Sequence, residues 1–275
     1  MTIAEMQAAK GKRKLTMLTA YDYPTALAVD RAGVDMVLVG DSVANVVLGL
    51  ESTREMTMDQ MVYHAKAVRR AVKQALVIGD MPYEAVQKDV AASVKNARRF
   101  VDEGGCEAVK LEWFEQAVAV SKEIIRAGVP VMGHVGLTPQ TADQQGGFKV
   151  QGKNAEAAKK ILAAALALES AGCFCVLMEC VPDRLAALIT QKLGVPTIGI
   201  GAGPSCDGQV LVTHDLLGLF DRRLPKFVKK YETLLSRMEE AFGRFREDVD
   251  KGRFPDKDHS YSMSEEELRR LEHES

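Results

Sequence analysis

Five short apolar runs in this chain each stop abruptly on an ionisable side chain. Val34-Asp35-Met36-Val37-Leu38-Val39-Gly40 ends on Asp41, Ala75-Leu76-Val77-Ile78-Gly79 on Asp80, and Ala108-Val109-Lys110-Leu111 on Glu112. Val129-Pro130-Val131-Met132-Gly133 ends on His134, and Cys173-Phe174-Cys175-Val176-Leu177-Met178 on Glu179. Runs this short are no free-standing helices. Their continuous apolarity is that of strands buried on both faces, the kind found in parallel sheets. Such sheets bind ligands outside the carboxyl ends of their strands, so the five terminal residues are expected to converge on one rim.

The segments between these runs have helical character, at about 24–31, 57–73, 87–103, 115–127, 154–170 and 183–192. A first strand is expected at 15–20, a seventh at 195–200 and an eighth at 209–213. This alternation, in 275 residues, predicts an α/β fold of the (β/α)₈ (TIM) barrel type. A short helix at 3–10 precedes it and a helix at 226–250 extends it. Residues 1–262 read as one barrel domain. Residues 263–275 read as a charged tail helix, opened by the capping box Ser264-Glu265-Glu266-Glu267. Between 201 and 209 there is too little chain for a crossover helix, which normally needs a dozen residues or more. A doubly wound sheet is the alternative, but Gly199-x-Gly201-x-Gly203 lies late and opens no dinucleotide-binding unit. Two loops, 43–57 and 144–152, are long enough to cover a substrate.

Composition excludes several classes of function. A net charge of −2 with both signs interspersed offers no nucleic-acid groove and no basic membrane patch. No apolar stretch approaches the roughly 20 residues that span a bilayer, and the first residues lack a signal-peptide core. The five cysteines contain no CxxC pair. They are expected to be reduced, in a cytoplasmic protein.

Three carboxylates on one rim repel each other unless a cation or protons neutralise them. Any one strand-end acid can simply cap a neighbouring helix. Asp41, Asp80 and Glu112 together point instead to a hard cation, with Glu179 and His134 beside it. Oxygen ligation by few protein groups suits Mg²⁺. Lys110 and Glu112 share a strand face, so the ammonium is open to either Glu112 or a substrate carboxylate. Glu179 ends a very apolar strand, where desolvation favours a general base; the bland reading pairs it with Arg184. His134 is equally an ordinary rim histidine, and Gly201-Ala202-Gly203 either a phosphate turn or a plain one.

Several stretches taken together resemble ketopantoate hydroxymethyltransferases. They are Thr19-Ala20-Tyr21-Asp22, Gly40-Asp41-Ser42, Val46-Val47-Leu48-Gly49, Met56-Thr57-Met58-Asp59 and Val109-Lys110-Leu111-Glu112. Further along come Gly133-His134-Val135-Gly136-Leu137-Thr138-Pro139-Gln140, Gly146-Gly147-Phe148-Lys149-Val150-Gln151-Gly152-Lys153 and Cys206-Asp207-Gly208-Gln209-Val210-Leu211-Val212. The likeness runs collinearly over about residues 3–260. It implies a cytoplasmic Mg²⁺-dependent barrel enzyme of pantothenate biosynthesis. Such an enzyme moves a hydroxymethyl group from 5,10-methylenetetrahydrofolate to 3-methyl-2-oxobutanoate through a Mg²⁺-stabilised enolate, giving 2-dehydropantoate. It further implies a homo-oligomer, commonly a decamer. Carried over, Asp41 and Asp80 hold the metal and the substrate chelated to it, and Glu112 completes the metal's shell. Ser42 and Lys110 bind the substrate carboxylate, His134 adjoins it, and Glu179 accepts the proton.

Three stretches depart from the family pattern. These are Val43-Ala44-Asn45 after Asp41-Ser42, Met81-Pro82-Tyr83-Glu84 after Asp80, and Trp113-Phe114 after Glu112. All lie beside proposed metal positions and add bulk, so they bear on the pocket's shape and its substrate or folate preference. Two other readings compete. One is a Mg²⁺-dependent carbon–carbon lyase or mutase of the isocitrate lyase and phosphoenolpyruvate mutase type, although its Lys-Lys-Cys-Gly-His stretch is missing here. The other is an impaired barrel kept as a binding module.

Overall fold

The computed structural model describes residues 1–87, 89–219, 221 and 224–274. Eight parallel strands close into a barrel in sequence order. The chain begins with α1 (Ile3–Ala8), β1 (Leu15–Thr19), α2 (Tyr23–Arg31) and β2 (Met36–Val39). Next come α3 (Val43–Val46), α4 (Met58–Ala71), β3 (Leu76–Asp80), α5 (Tyr83–Gln87), α6 (Val90–Asp102) and β4 (Ala108–Glu112). The middle of the chain forms α7 (Ala117–Arg126), β5 (Val131–Gly136), α8 (Ala155–Ser170), β6 (Cys175–Glu179) and α9 (Asp183–Lys192). It finishes with β7 (Thr197–Ile200), β8 (Gly208–Leu211), α10 (Thr213–Leu217), α11 (Leu234–Asp250) and α12 (Glu265–Glu274). Ser275, the end of the expected tail, lies outside the described residues.

Side-chain alternation divides the apolar residues into two cores. One set fills the barrel: Met17, Met36, Leu76, Ile78, Met132, Leu177 and Ile198, with Met6 of α1 packed beneath them. The intervening positions, such as Val37, Val77, Val109, Leu111 and Val176, face outward into the helix layer. The short α1, capped reciprocally by Thr2 and Glu5, thereby seals the amino-terminal end with a fully buried methionine. Local signals place the larger helices. Asp22, Thr57, Asp89 and Asn154 each accept a backbone N–H at the start of α2, α4, α6 and α8, which satisfies an otherwise orphaned donor.

The helix expected at about 87–103 is α6, which the Asp89 side chain caps, and the short α5 comes before it. The link from β7 to β8 contains no helix. The two strands still pair in parallel because Gly208 nestles against Ile198 and Leu15, where any Cβ would collide. The helix expected from 226 begins at Leu234. Ahead of it, Tyr231 donates its N–H to the Leu216 carbonyl and the Phe227 ring packs against Gly201, where a Cβ would collide with it, so tertiary contacts take the place of helical bonds. Every residue of α11 is at least partly exposed, including an apolar stripe of Met238, Phe242, Phe245 and Val249. Among the described residues no helix is long and apolar enough to cross a membrane.

Candidate active site

The inward face of each central strand turns from apolar to ionisable as it nears the carboxyl end. Leu76 and Ile78 precede Asp80; Ala108 precedes Lys110 and Glu112; Met132 precedes His134; Cys175 and Leu177 precede Glu179. Strand register then sets neighbours side by side, Asp80 opposite Lys110 and Glu112 opposite His134. Asp41 and Ser42 follow β2 directly. All seven predicted residues gather at this one end, and all but Ser42 and Glu179 are almost completely buried. Above them opens a cavity of about 720 Å³.

The contacts are specific. Lys110 Nζ lies 2.6 Å from Asp80 Oδ1 and 3.9 Å from Glu112 Oε1, so its first partner is Asp80. The other Asp80 oxygen accepts the Asp41 N–H at 3.1 Å. Ser42 Oγ is 2.8 Å from the Tyr21 hydroxyl. His134 stands between two carboxylates, with Nδ1 3.7 Å from Glu112 and Nε2 3.4 Å from Glu179. Among the described residues neither ring nitrogen completes a hydrogen bond, and neither does Glu112 Oε1. Glu179 faces His134 and not Arg184.

One residue that no strand-end pattern reveals ties the group together. Gln140, 3% exposed, donates from Nε2 to Asp41 Oδ2 at 2.8 Å and to the Met81 carbonyl at 3.0 Å. Its backbone N–H donates to Glu112 Oε2 at 3.1 Å. It sits in the short 3₁₀ turn Pro139–Gln145, within the Gly133–Gln140 block but away from any strand end. Its role becomes visible only when β5 has delivered that turn over β2 and β4.

Burial governs the electrostatics. Desolvation, reinforced by Asp80, lifts Asp41 to about 7. It raises Glu112 well above the usual carboxylate range and Glu179 to about 8. Burial and the Lys110 charge hold His134 far below its ordinary value, hence neutral. Burial by itself would discharge Lys110, but Asp80, Glu112 and Asp41 keep its ammonium above the normal lysine range. One lysine thus faces four carboxyl groups. That excess of negative charge, together with the free Glu112 oxygen and the adjacency of Asp41 and Asp80, fits a divalent cation. The acids form no ready-made cage, since no three His, Cys, Asp or Glu side chains among the described residues are spaced to grip one ion. A Mg²⁺ bound here would take one or two of these carboxylates and leave its remaining positions to water and substrate oxygens.

The departures from the family pattern lie mostly behind the site. Val43, Ala44 and Met81 are buried in the outer core, with Trp113 and Phe114 packed against it. The Arg54 guanidinium covers the Tyr83 ring at 4.1 Å. Of these residues Asn45 reaches the cavity, held there by its bond to the Leu50 carbonyl. Glycine is needed at Gly136 (φ 97°), where a Cβ would come within 2.3 Å of the Glu179 carbonyl. Cys180, directly after Glu179, takes a left-handed φ of 47°, a conformation that costs about 1 kcal/mol or more in a non-glycine residue.

A family model described as ketopantoate hydroxymethyltransferase matches residues 1–257. A protein of Syntrophobacter fumaroxidans named 3-methyl-2-oxobutanoate hydroxymethyltransferase is 52% identical over 270 residues, covering 98% of this chain and 96% of its own. One of the same name from Moorella thermoacetica is 54% identical, covering 94% and 97%. Among solved structures, a putative phosphonomutase from Burkholderia cenocepacia superposes with a TM-score of 0.65 at 12% identity, covering 89% of this chain and 98% of that one. A 2,3-dimethylmalate lyase does so at 0.57 and 15%, covering 98% and 93%. At such identities the structural likeness speaks for the barrel fold alone.

Proposed function

The chain belongs to the ketopantoate hydroxymethyltransferase family, and from that premise we propose that its barrel mouth moves a hydroxymethyl group from 5,10-methylenetetrahydrofolate to 3-methyl-2-oxobutanoate. The product is 2-dehydropantoate, on the way to pantothenate. The observation that carries this reading is the junction of two environments in one cavity. A cation-seeking set of acids stands at β2 to β4, and a desolvated carboxyl, Glu179, stands across from it on β6.

Asp41 and Asp80 would hold Mg²⁺, with Glu112 completing the shell directly or through water. The ion, when bound, supplies Lewis-acid polarisation of the keto oxygen, worth several kcal/mol. Lys110 and Ser42 receive the substrate carboxylate. Lys110 is kept charged by its neighbours, and the Ser42 hydroxyl is aimed by Tyr21. Glu179 then takes the C3 proton of the keto acid. Its raised affinity for protons matches that task, and a cation alongside lowers it toward the operating pH. Neutral His134 flanks Glu179 without competing for the proton. The substrate C3 would form a bond to the methylene carbon carried by the folate, and water would then break that carbon's remaining bond to the folate nitrogen, releasing tetrahydrofolate and supplying the hydroxyl oxygen. A homo-oligomer belongs to the same reading and is supported by the exposed apolar stripe of α11; sedimentation of the full chain tests it.

The deciding experiment is proton NMR of 3-methyl-2-oxobutanoate in D₂O with protein and Mg²⁺. The C3 proton is expected to exchange, and to stop exchanging when a chelator removes the metal. A C3 signal that persists with protein and Mg²⁺ sinks the proposal. It would favour a lyase for other acids, whose support is the fold likeness alone, or a binding module.

A further inference from the structure

The keto acid leaves much of the cavity unused. A five-carbon acid held by Asp41, Ser42, Asp80 and Lys110 with its C3 toward Glu179 occupies the side formed by β2 to β6. A volume of about 720 Å³ suits a drug-sized ligand, and the remaining space lies toward β7, β8 and β1. There the wall is apolar, from Ile200, Val212 and Phe227. One carboxylate interrupts it. Asp215, in the turn of α10 that follows β8, is half-buried on the cavity and makes no side-chain hydrogen bond or ion pair among the described residues. Asp80 is engaged by Lys110, and Asp41 and Glu112 by Gln140, whereas Glu179, 3.4 Å from neutral His134, stands on the keto-acid side of the cavity. Exposed Lys226 stands at the rim close by.

A partly desolvated carboxylate with no partner among the described residues seeks a donor pair. The keto acid cannot provide one, since its polar edge is anionic and would be repelled. A reduced pterin presents a ring amide N–H and a 2-amino group side by side, which match the two carboxylate oxygens as a bidentate acceptor. We infer that the β8 side of the mouth seats the folate, with Asp215 accepting the amino-pyrimidinone edge of the pterin, Phe227 and Val212 walling its ring, and Lys226 meeting the glutamate carboxylate outside. This rests on the folate-dependent reading above. Burial lifts Asp215 to about 6, which leaves it mostly ionised at neutral pH and so able to accept both bonds.

The test uses the full chain and three measurements. Tetrahydrofolate binding, measured by isothermal titration calorimetry, is expected to weaken roughly 10- to 100-fold in Asp215→Asn, the usual loss for a charge-assisted hydrogen bond. An analogue lacking the 2-amino group is expected to bind the unaltered protein more weakly than tetrahydrofolate by a similar factor. Asp215→Asn should bind the two alike. Deuterium exchange into the keto acid, which needs no folate, is expected to persist in the variant. Unchanged folate binding in Asp215→Asn, or equal discrimination against the analogue by both proteins, overturns the assignment. So does loss of exchange in a folded variant, because Asp215 would then act on the keto acid. If the variant fails to fold, the unaltered protein decides: an analogue bound as tightly as tetrahydrofolate overturns the assignment. Absent exchange in the unaltered protein is a separate result, and it removes the premise under both readings.

Discussion

The two ends of this barrel use the same residue types for opposite ends. At the amino-terminal end, carboxylates clamp the starts of the strands, and each one is satisfied. Asp30 accepts the N–H groups of Lys73, Gln74 and Ala75. Asp35 takes the Arg13 guanidinium and the Thr16 N–H. Asp207 takes Lys10 at 2.8 Å and the Thr197 N–H at 2.9 Å. A hollow of about 710 Å³ lies there too, but Arg13 and Asp35 on its wall are already paired. Burial raises the proton affinity of these three acids, but their hydrogen bonds and cations outweigh it, so all three titrate below the usual range. At the mouth Asp41, Glu112 and Glu179 lack such a set of donors and cations, so desolvation prevails and they titrate above it. The lower ring stabilises the fold, while the upper one is held in an unfavourable state that a bound cation would relieve. Strain of this kind is common where a protein acts on something else.

The contrast is sharpest at Glu179. Glu179→Gln is expected to reduce C3 exchange and turnover by about 10²–10⁴-fold with the melting temperature unchanged or higher; exchange at the original rate would remove Glu179 as the base. At the other end, Asp207→Ala should cost roughly 2–4 kcal/mol in urea unfolding, because Lys10 and the Thr197 N–H lose a buried partner. Its kcat should hold. A fall in kcat without a fall in stability would erase the division between the two ends. Gln140→Ala is expected to lower turnover by about 10–100-fold, as for other groups that orient metal ligands, with a higher Mg²⁺ requirement. An unchanged Mg²⁺ titration would reduce Gln140 to packing.

Asp41→Asn should act in the opposite sense on stability. Because the folded-state pKa of Asp41 is raised to about 7 from a usual 3.8, ionising it costs the folded state increasingly as pH rises above 3.8. Removing it should therefore stabilise metal-free protein by about 1 kcal/mol at pH 8, with little gain at pH 4, while turnover falls. A melting temperature lowered equally at both pH values would contradict the repulsion argued here. The lower ring has the reverse sign. Its depressed acids stabilise the fold above about pH 4, and that contribution disappears as pH falls through their folded values. Acid unfolding monitored by circular dichroism should shift upward in pH in Asp30→Asn.

Much of this division can be read along the chain. An acid directly before a strand, as at Asp35, Glu107 and Asp207, belongs to the lower ring; an acid that closes a strand, as at Asp80, Glu112 and Glu179, belongs to the mouth. The pattern works because parallel strands all point the same way. It fails for Gln140, which reaches Asp41 and Glu112 from a loop, and for Lys110, whose choice of Asp80 over Glu112 depends on the register between β3 and β4. It fails also for residues 226–233, where contacts to Leu216 and Gly201 override local helical character, and for Trp113 and Phe114, whose bulk turns out to face the helices.

Local order along the chain was sufficient to set the eight strands, their closure and the end at which the ionisable groups collect. Each of these follows from alternation and strand direction, which are short-range properties. Which carboxylate holds the lysine, which oxygen of Glu112 is left free and which loop amide ties the acids together depend on distances between elements remote in sequence. Those distances are fixed by the register and tilt of a closed sheet, a property of all eight strands together that no single segment encodes.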